Sequence, residues 1–179
     1  SSDVCSSDLK LSELVTKEIQ SLSMPNAYLQ MQVNSKDSST ETSFQSFGLD
    51  EIEILFCSHQ GGKRLPLNKV ASGGELSRVM LALEVVIADS QNIGTYIFDE
   101  VDAGVGGKAA IEVGRRLKEL SKVAQVIVVT HLPQVAAWGD THFVVSKDES
   151  GSVSLSQVRK VSSESRVEEI ARMLAGHED

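Results

Sequence analysis

The sequence predicts an α/β fold, a mostly parallel sheet flanked by helices, and three observations carry that expectation. Beyond Lys69, strand-like and helix-like patterns alternate, which is the order that covers a parallel sheet with helices. Two of the strand segments, 95–98 and 125–130, are short apolar runs of the kind found in buried strands. The chain has 179 residues, 41% of them hydrophobic, which suffices for one packed core and is short for two.

The elements follow in order. Leu11, Leu14, Val15, Ile19 and Leu22 fall three or four apart, so 10–22 reads as a helix with one apolar face, the stub of a coiled coil. Pro25 and Asn26 end it. Alternation across 28–33 marks a half-buried strand, 34–43 is a polar connection rich in Ser, Thr and Asp, and Ile52, Ile54 and Phe56 alternate again as a strand. Gly61 and Gly62 make a turn. Leu76, Val79, Met80, Leu83, Val86 and Ile87 belong to a helix that is apolar almost all round and is expected to be buried. Strand 95–98 comes next, then a helix over 107–122 with Ala110, Val113, Leu117 and Leu120 inward, then strand 125–130. Pro133 opens a short helix. Two strands near 142–146 and 153–158 precede a last helix, for which Ser165 and Glu168 form a capping-box pattern and Val167, Ile170, Ala171 and Leu174 an inner face. No internal repeat is visible.

Residues 1–9 are read separately. Ser1-Ser2-Asp3 is echoed by Ser6-Ser7-Asp8, and residues 3–9, read back into codons, resemble a translated sequencing adaptor. They are set aside as a non-native leader. The expected division is therefore 1–9 leader, 10–23 end of a coiled coil, and 24–179 a single lobe.

Composition excludes several classes. The longest apolar stretch, 79–88, is interrupted by Glu84 and is far short of the roughly 20 residues that cross a bilayer. Cys5 and Cys57 have no partner at metal-ligand spacing, so neither a disulfide framework nor a zinc site is indicated, and a reducing cytoplasm fits. A formal charge of −8 argues against a large phosphate-tracking surface on this piece.

Three constellations carry candidate chemistry. Ser72, Gly73, Gly74 and Glu75 stand directly before the long helix, where glycines allow backbone N–H groups close to an anion and the helix N-terminus adds partial positive charge. The plain alternative is a helix cap. Asp99 and Glu100 end an apolar strand at its C-terminal side, where open α/β sheets bind ligands. One carboxylate there can hold a Mg²⁺ ion on a nucleotide and the other can orient or deprotonate water; the alternative is that both only face solvent. Thr130 and His131 end the next strand at the same edge, where His131 can reach a terminal phosphate or be a surface residue. His59, His142 and His177 keep the surface reading.

In this order and spacing the set resembles the ABC-type ATPases. Residues 71–75 resemble the signature motif, Tyr96 to Asp99 the Walker B strand, Glu100 the catalytic glutamate, Asp102 the D-loop and His131 the switch histidine. The finer text ASGGELSRVMLALE, IFDEVDAGVGGKAA, VTHLPQVAA, MPNA and RVEEIARMLAG resembles the SMC-like branch that acts in bacterial DNA repair. The likeness runs from about Met24 to Gly176. Where most of the superfamily has Leu and Gln in the signature, Ala71 and Glu75 stand here.

This resemblance implies the C-terminal half of an ABC/SMC-type P-loop NTPase head that hydrolyses ATP with Mg²⁺. It further implies Asp99 on the metal, Glu100 and His131 in catalysis, and Ser72, Gly73, Gly74 and Glu75 on ATP held by a second head, with Asp102 in the D-loop. No G-x-x-x-x-G-K-[ST] run exists in the chain, so its Walker A lobe would be an N-terminal partner of the same protein and the chain alone is expected to be inactive. The implied setting is recombinational repair of DNA double-strand breaks in the cytoplasm, on the nucleoid, through an ATP-dependent homodimer that meets DNA and no membrane. The alternatives are a nonenzymatic dimerisation module and a head fragment of another SMC-like ATPase.

Overall fold

The computed structural model describes residues 2–35, 50–69, 72–90, 94–148 and 155–176. Where the sequence predicts one core, the chain packs as two compact units, Ser1–Asn92 and Ile93–Asp179. Each has its own buried cluster.

In the first unit, helix α1 (Ser2–Ser21) runs into a turn and then strand β1 (Tyr28–Ser35), which pairs antiparallel with β2 (Asp50–Cys57). The short β3 (Leu65–Pro66) joins the other edge of β2, and helix α2 (Gly73–Ile87) packs on α1. Val15 and Ile19 on α1 and Leu22 just beyond it are buried with Leu29, Phe56, Cys57, Val79, Leu81 and Ala82. A polar stripe on α1 adds directional contacts that apolar periodicity does not reveal. Ser12 Oγ accepts from Met31 N at 3.1 Å, Thr16 Oγ1 accepts from Leu29 N at 3.1 Å, and Gln20 Nε2 donates to Ala27 O at 3.2 Å. Four helical residues rise about 6 Å and two strand residues about 6.8 Å, so a hydroxyl or amide every fourth helical position meets every second strand residue. The helix thereby meets the N–H groups of Leu29 and Met31 on β1.

Helix α1 includes backbone of the run set aside as a leader, and β1 takes in Asn34 and Ser35; residues 36–43 of the expected polar connection lie outside the described residues. The all-round burial expected for α2 is corrected. Val79, Leu81, Ala82, Gly74 and Arg78 are buried, whereas Leu76 and Met80 are exposed, because α2 meets α1 along one side only.

In the second unit, β4 (Thr95–Phe98) and β5 (Gln125–Val128) pair in parallel, in register Ile97 with Ile127, across helix α3 (Gly107–Leu120). Short α4 (Pro133–Ala136) packs on α3, and β6 (Phe143–Asp148) with β7 (Leu155–Lys160) forms an antiparallel hairpin before α5 (Ser163–Ala175). Parallel pairing among the described strands is thus confined to β4 and β5. Residues 153 and 154 of the last predicted strand lie outside the described residues.

Ala110, Val113, Leu117 and Leu120 are the buried face of α3, as their spacing predicts, and join Phe98, Val101, Val105 and Val135. Two apolar faces differ from expectation. Segment 125–130 is covered on one side only: Ile127 and Val129 are exposed, as is Ile97 on the neighbouring strand. Helix α5 starts three residues before the predicted box, since Ser162 Oγ accepts from Ser165 N at 3.3 Å, and Val167, Ala171 and Leu174 face solvent. The Ser at 162 outcompetes the one at 165 because capping from there adds a full turn of helix. Arg166 anchors the helix by donating to Ala136 O and Ala137 O, the carbonyls that end α4.

Titration reflects local contacts. A hydrogen bond from Lys118 holds the Asp140 carboxyl below its ordinary value, one from Arg172 does the same for Glu169, and desolvation lowers His142.

Gly114 lies under the sole tryptophan. A Cβ there would stand 2.2 Å from Trp138 Cδ1 and 3.0 Å from Cγ. Replacing a mid-helix glycine by alanine ordinarily gains up to about 1 kcal/mol. Overpacking costs about 1–3 kcal/mol, and an overlap this deep puts the penalty at the upper end. Gly114→Ala is therefore expected to destabilise the protein by about 1–2 kcal/mol in urea unfolding, with a change in Trp138 fluorescence as the ring is displaced.

Candidate functional site

The site of the second unit is built where β4 and β5 end side by side. Val129 N donates to Phe98 O at 3.0 Å, which continues the pairing one step past the strands and aligns their exits. Asp99 and Glu100 follow Phe98 and are exposed, while Thr130 and His131 follow Val129. Parallel strands are what bring the two exits to one edge, since antiparallel partners would send them to opposite ends.

Glu100 has φ +56°, a left-handed conformation that costs a residue with a Cβ about 1–2 kcal/mol. It opens a tight turn in which Ala103 N donates to Glu100 O and Val105 N to Asp102 O. Gly104 and Gly107, at φ +70° and +56°, carry the chain on to α3 in conformations that suit glycine, which explains part of the AGVGG text. A non-glycine residue in that region is uncommon, and Ser23 is the other one among the described residues.

Asp102 sits at the centre of this turn and is 2% exposed. Its Oδ2 accepts a hydrogen bond from Thr130 Oγ1, and His131 Nδ1 lies 3.8 Å from the same oxygen. Thr130 Oγ1 in turn accepts from Leu132 N at 3.0 Å. His131 itself is 76% exposed, so its ring projects outward from a backbone fixed on either side.

The signature-like segment belongs to the first unit. Ser72 is the N-cap of α2 and forms a complete capping box with Glu75: Ser72 N donates to Glu75 Oε2 at 3.1 Å, and Glu75 N to Ser72 Oγ at 3.4 Å. The cap reading of these residues is thus realised in the geometry, with Glu75 turned back on Ser72. Gly73 is exposed and Gly74 buried. Ala71 lies outside the described residues.

The structure therefore brings together Asp99, Glu100, Asp102 and His131 on one unit and Ser72, Gly73, Gly74 and Glu75 on the other. Thr130 is the member that sequence reasoning left without a role. Its signal was a hydroxyl at the end of an otherwise apolar run, directly before the histidine. A metal fits this donor set in one form. Among the described residues no three His, Cys, Asp or Glu side chains cluster as a protein cage, whereas Mg²⁺ shared with phosphates takes one or two carboxylates, and Asp99 at an exposed strand end offers one.

The model of the RecF/RecN/SMC N-terminal domain family matches residues 13–154, a span that contains both parts of the site. The chain belongs to the RecF/RecN/SMC family. Within it, the chain is 50% identical over 172 residues to DNA repair protein RecN of Streptomyces coelicolor, covering 92% of this chain and 30% of that protein. It is 58% identical over 129 residues to RecN of Mycobacterium leprae, covering 72% and 22%, and 38% identical over 170 residues to RecN of Halalkalibacterium halodurans, covering 95% and 30%. The chain thus spans less than a third of the length of these relatives, and RecN is the repair protein that the quoted sequence blocks resemble.

Solved SMC heads share the fold. A head domain with coiled coil and joint from Pyrococcus yayanosii superposes with a TM-score of 0.62 at 22% identity, covering 90% of this chain and 28% of that one. A chain from work on ATP-driven dimerisation and DNA-stimulated activation of SMC ATPases superposes with a TM-score of 0.54 at 22% identity, covering 94% and 93%. The α/β class and the SMC-head fold are what this family membership and these superpositions establish.

The left-handed Glu100 gives a prediction that separates folding from chemistry. Glu100→Gly removes the Cβ strain and is expected to leave the chain as stable as before or more stable, by up to about 1 kcal/mol. Glu100→Val, with a β-branched side chain at the same φ, is expected to cost more than about 1 kcal/mol. Urea midpoints of both variants at one pH decide it, and equal midpoints would show that the turn carries no strain.

Proposed function

We propose that this chain is the C-terminal lobe of the ATPase head of a RecN-like protein acting in repair of DNA double-strand breaks. The observation that carries the reading is the shared exit of β4 and β5, which sets Asp99 and Glu100 beside Thr130 and His131 in a member of the RecF/RecN/SMC family.

In this reading ATP is the substrate and Mg²⁺ the metal, which supplies neutralisation of phosphate charge. Asp99 would hold the metal together with the phosphates. Glu100, presented by its left-handed turn, orients or deprotonates the attacking water. His131, exposed beyond the strand, contacts the terminal phosphate from its side. Ser72, Gly73 and Gly74 address ATP held by a second head through the α2 N-terminus, with Glu75 fixing the Ser72 backbone through its capping box. ATP then joins two heads and hydrolysis releases them.

The partner lobe would carry the Walker A residues that this sequence lacks. The surface of the second unit supports such a partner. Ile97, Ile127 and Val129 form an exposed apolar row on one face of β4 and β5, and β5 has a single paired edge among the described strands. A row of this kind is where a further layer of protein belongs. DNA would be met by the whole protein, given the charge of −8 here, and the setting is the bacterial nucleoid. No helix among the described residues is long and apolar enough to cross a membrane.

ATP hydrolysis measured with the chain alone, and after co-expression with a Walker A lobe of a RecN-like protein, tests the reading. Activity is expected only in the pair, with Glu100→Gln lowering kcat by about 100-fold or more while ATP still binds and the head dimer persists. Ser72→Arg costs about 1 kcal/mol of cap stability, too little to unfold the lobe, and is expected to block head association without loss of ATP binding. A stable but inactive pair would replace the catalytic reading with an interaction module.

A further inference from the structure

Asp102 and Thr130 are linked in a way that neither the family likeness nor the proposed reaction assigns. The Asp102 carboxylate is almost wholly out of water, and burying a charge is costly unless donors meet it. Thr130 supplies one such donor. A threonine hydroxyl has a single proton, and here its other capacity is used as well, because its oxygen accepts from Leu132 N at 3.0 Å. The competing acceptor for that proton, Leu132 O, is 3.5 Å away, at the outer limit of a hydrogen bond. The proton therefore belongs to Asp102.

The consequence is mechanical. Asp102 lies two residues after Glu100, inside the turn closed by Ala103 N on Glu100 O, and the turn holds Glu100 at φ +56°. Thr130 lies one residue before His131, whose exposed ring comes no nearer than 3.8 Å to the Asp102 carboxylate. Neither Glu100 nor His131 is buried, so packing on the side chains themselves does not fix them. Their placement comes from the backbone on which they stand, and beyond the strand pairing one side-chain hydrogen bond ties the two backbones together.

We propose that Thr130 is a positioning residue whose hydroxyl, through the buried Asp102 carboxylate, holds the Glu100 turn and the His131 strand end as one rigid piece. The proposal rests on the reading of Glu100 and His131 as the catalytic pair of an ATPase. It assigns Asp102 an inward, intramolecular role in its own lobe. Valine has the shape of threonine without its hydroxyl, so Thr130→Val would leave the Asp102 carboxylate and the Leu132 N–H both short of a partner. Serine retains both bonds.

The test uses the full-length protein that carries this lobe, with kcat and KM for ATP measured on Thr130→Val and Thr130→Ser. Thr130→Val is expected to lower kcat by at least about tenfold, with KM within about threefold, because misplaced catalytic groups slow the chemical step more than they weaken binding. Thr130→Ser is expected to recover most of that loss, which a role in packing alone would not produce, since serine restores the hydroxyl and not the methyl. Should Thr130→Val fail to accumulate folded, Thr130→Ala removes the same hydroxyl in a smaller side chain and is read in the same way. An unchanged kcat in the valine variant overturns the positioning role, as does equal loss in the valine and serine variants. If the wild-type protein hydrolyses no ATP, the ATPase reading itself fails and the positioning role falls with it; wild-type activity with an unaffected valine variant removes the positioning role alone.

Discussion

The parallel register of β4 and β5 is the constraint on which the second unit depends. Each strand contributes four residues, and their pairing is extended by Val129 N on Phe98 O. A slip of β4 by one residue against β5 would turn the faces of β4 over and bury Ile97 in place of Phe98. It would also separate Asp102 from Thr130, whose bond requires both exits at one level. Ala110, Val113 and Leu117 of α3 are buried in the same unit as Phe98. Pairing of two short strands thus determines where two polar loops meet, which is how a rigid scaffold comes to position groups that are themselves exposed.

The same unit shows where stability is given up. Glu100 is held in a left-handed turn and Asp102 is a carboxylate out of water. Both are unfavourable locally and both lie within three residues at the strand exit. Local conflicts of this kind concentrate at sites selected for something other than folding. Other parts of the unit follow ordinary rules: the α3 spacing matches its buried face, Arg115 pairs with Glu112 and Glu119 on the exposed side, and Arg166 closes the carbonyls of α4.

Much of this was legible in the sequence. Strand 95–98, the α3 face, the glycine-led helix and the two polar strand ends are read directly from apolar spacing and from residue type. The order of Ser72 to Glu75, Asp99, Glu100, Asp102 and His131 carried the likeness to the family whose model matches residues 13–154. Two things escaped. Thr130 looked like a neighbour of His131, since no pattern in a single sequence couples position 102 to position 130. The polar stripe Ser12, Thr16 and Gln20 on α1 drew no reading, because side chains that reach a strand edge have the same spacing as side chains that face water.

Burial was the other systematic difference, and it is informative about the fold. Periodicity identified the apolar faces of α2, α5 and strand 125–130, yet Leu76, Met80, Val167, Leu174, Ile127 and Val129 are exposed. A repeat of apolar residues reports which side of an element avoids water and contains no information about what covers it. Single exposed apolar residues are common, but residues in register on one sheet face, such as Ile97 opposite Ile127, form a surface that costs about 25 cal/mol for each Å² left in water. The relatives are more than three times as long as the chain, so protein to cover such faces exists in them. An ATPase head assembled from two lobes has a use for that arrangement. In the two-lobe head proposed above, such a surface would meet the second lobe, and the exit of β4 and β5 would be completed only when the lobes are joined.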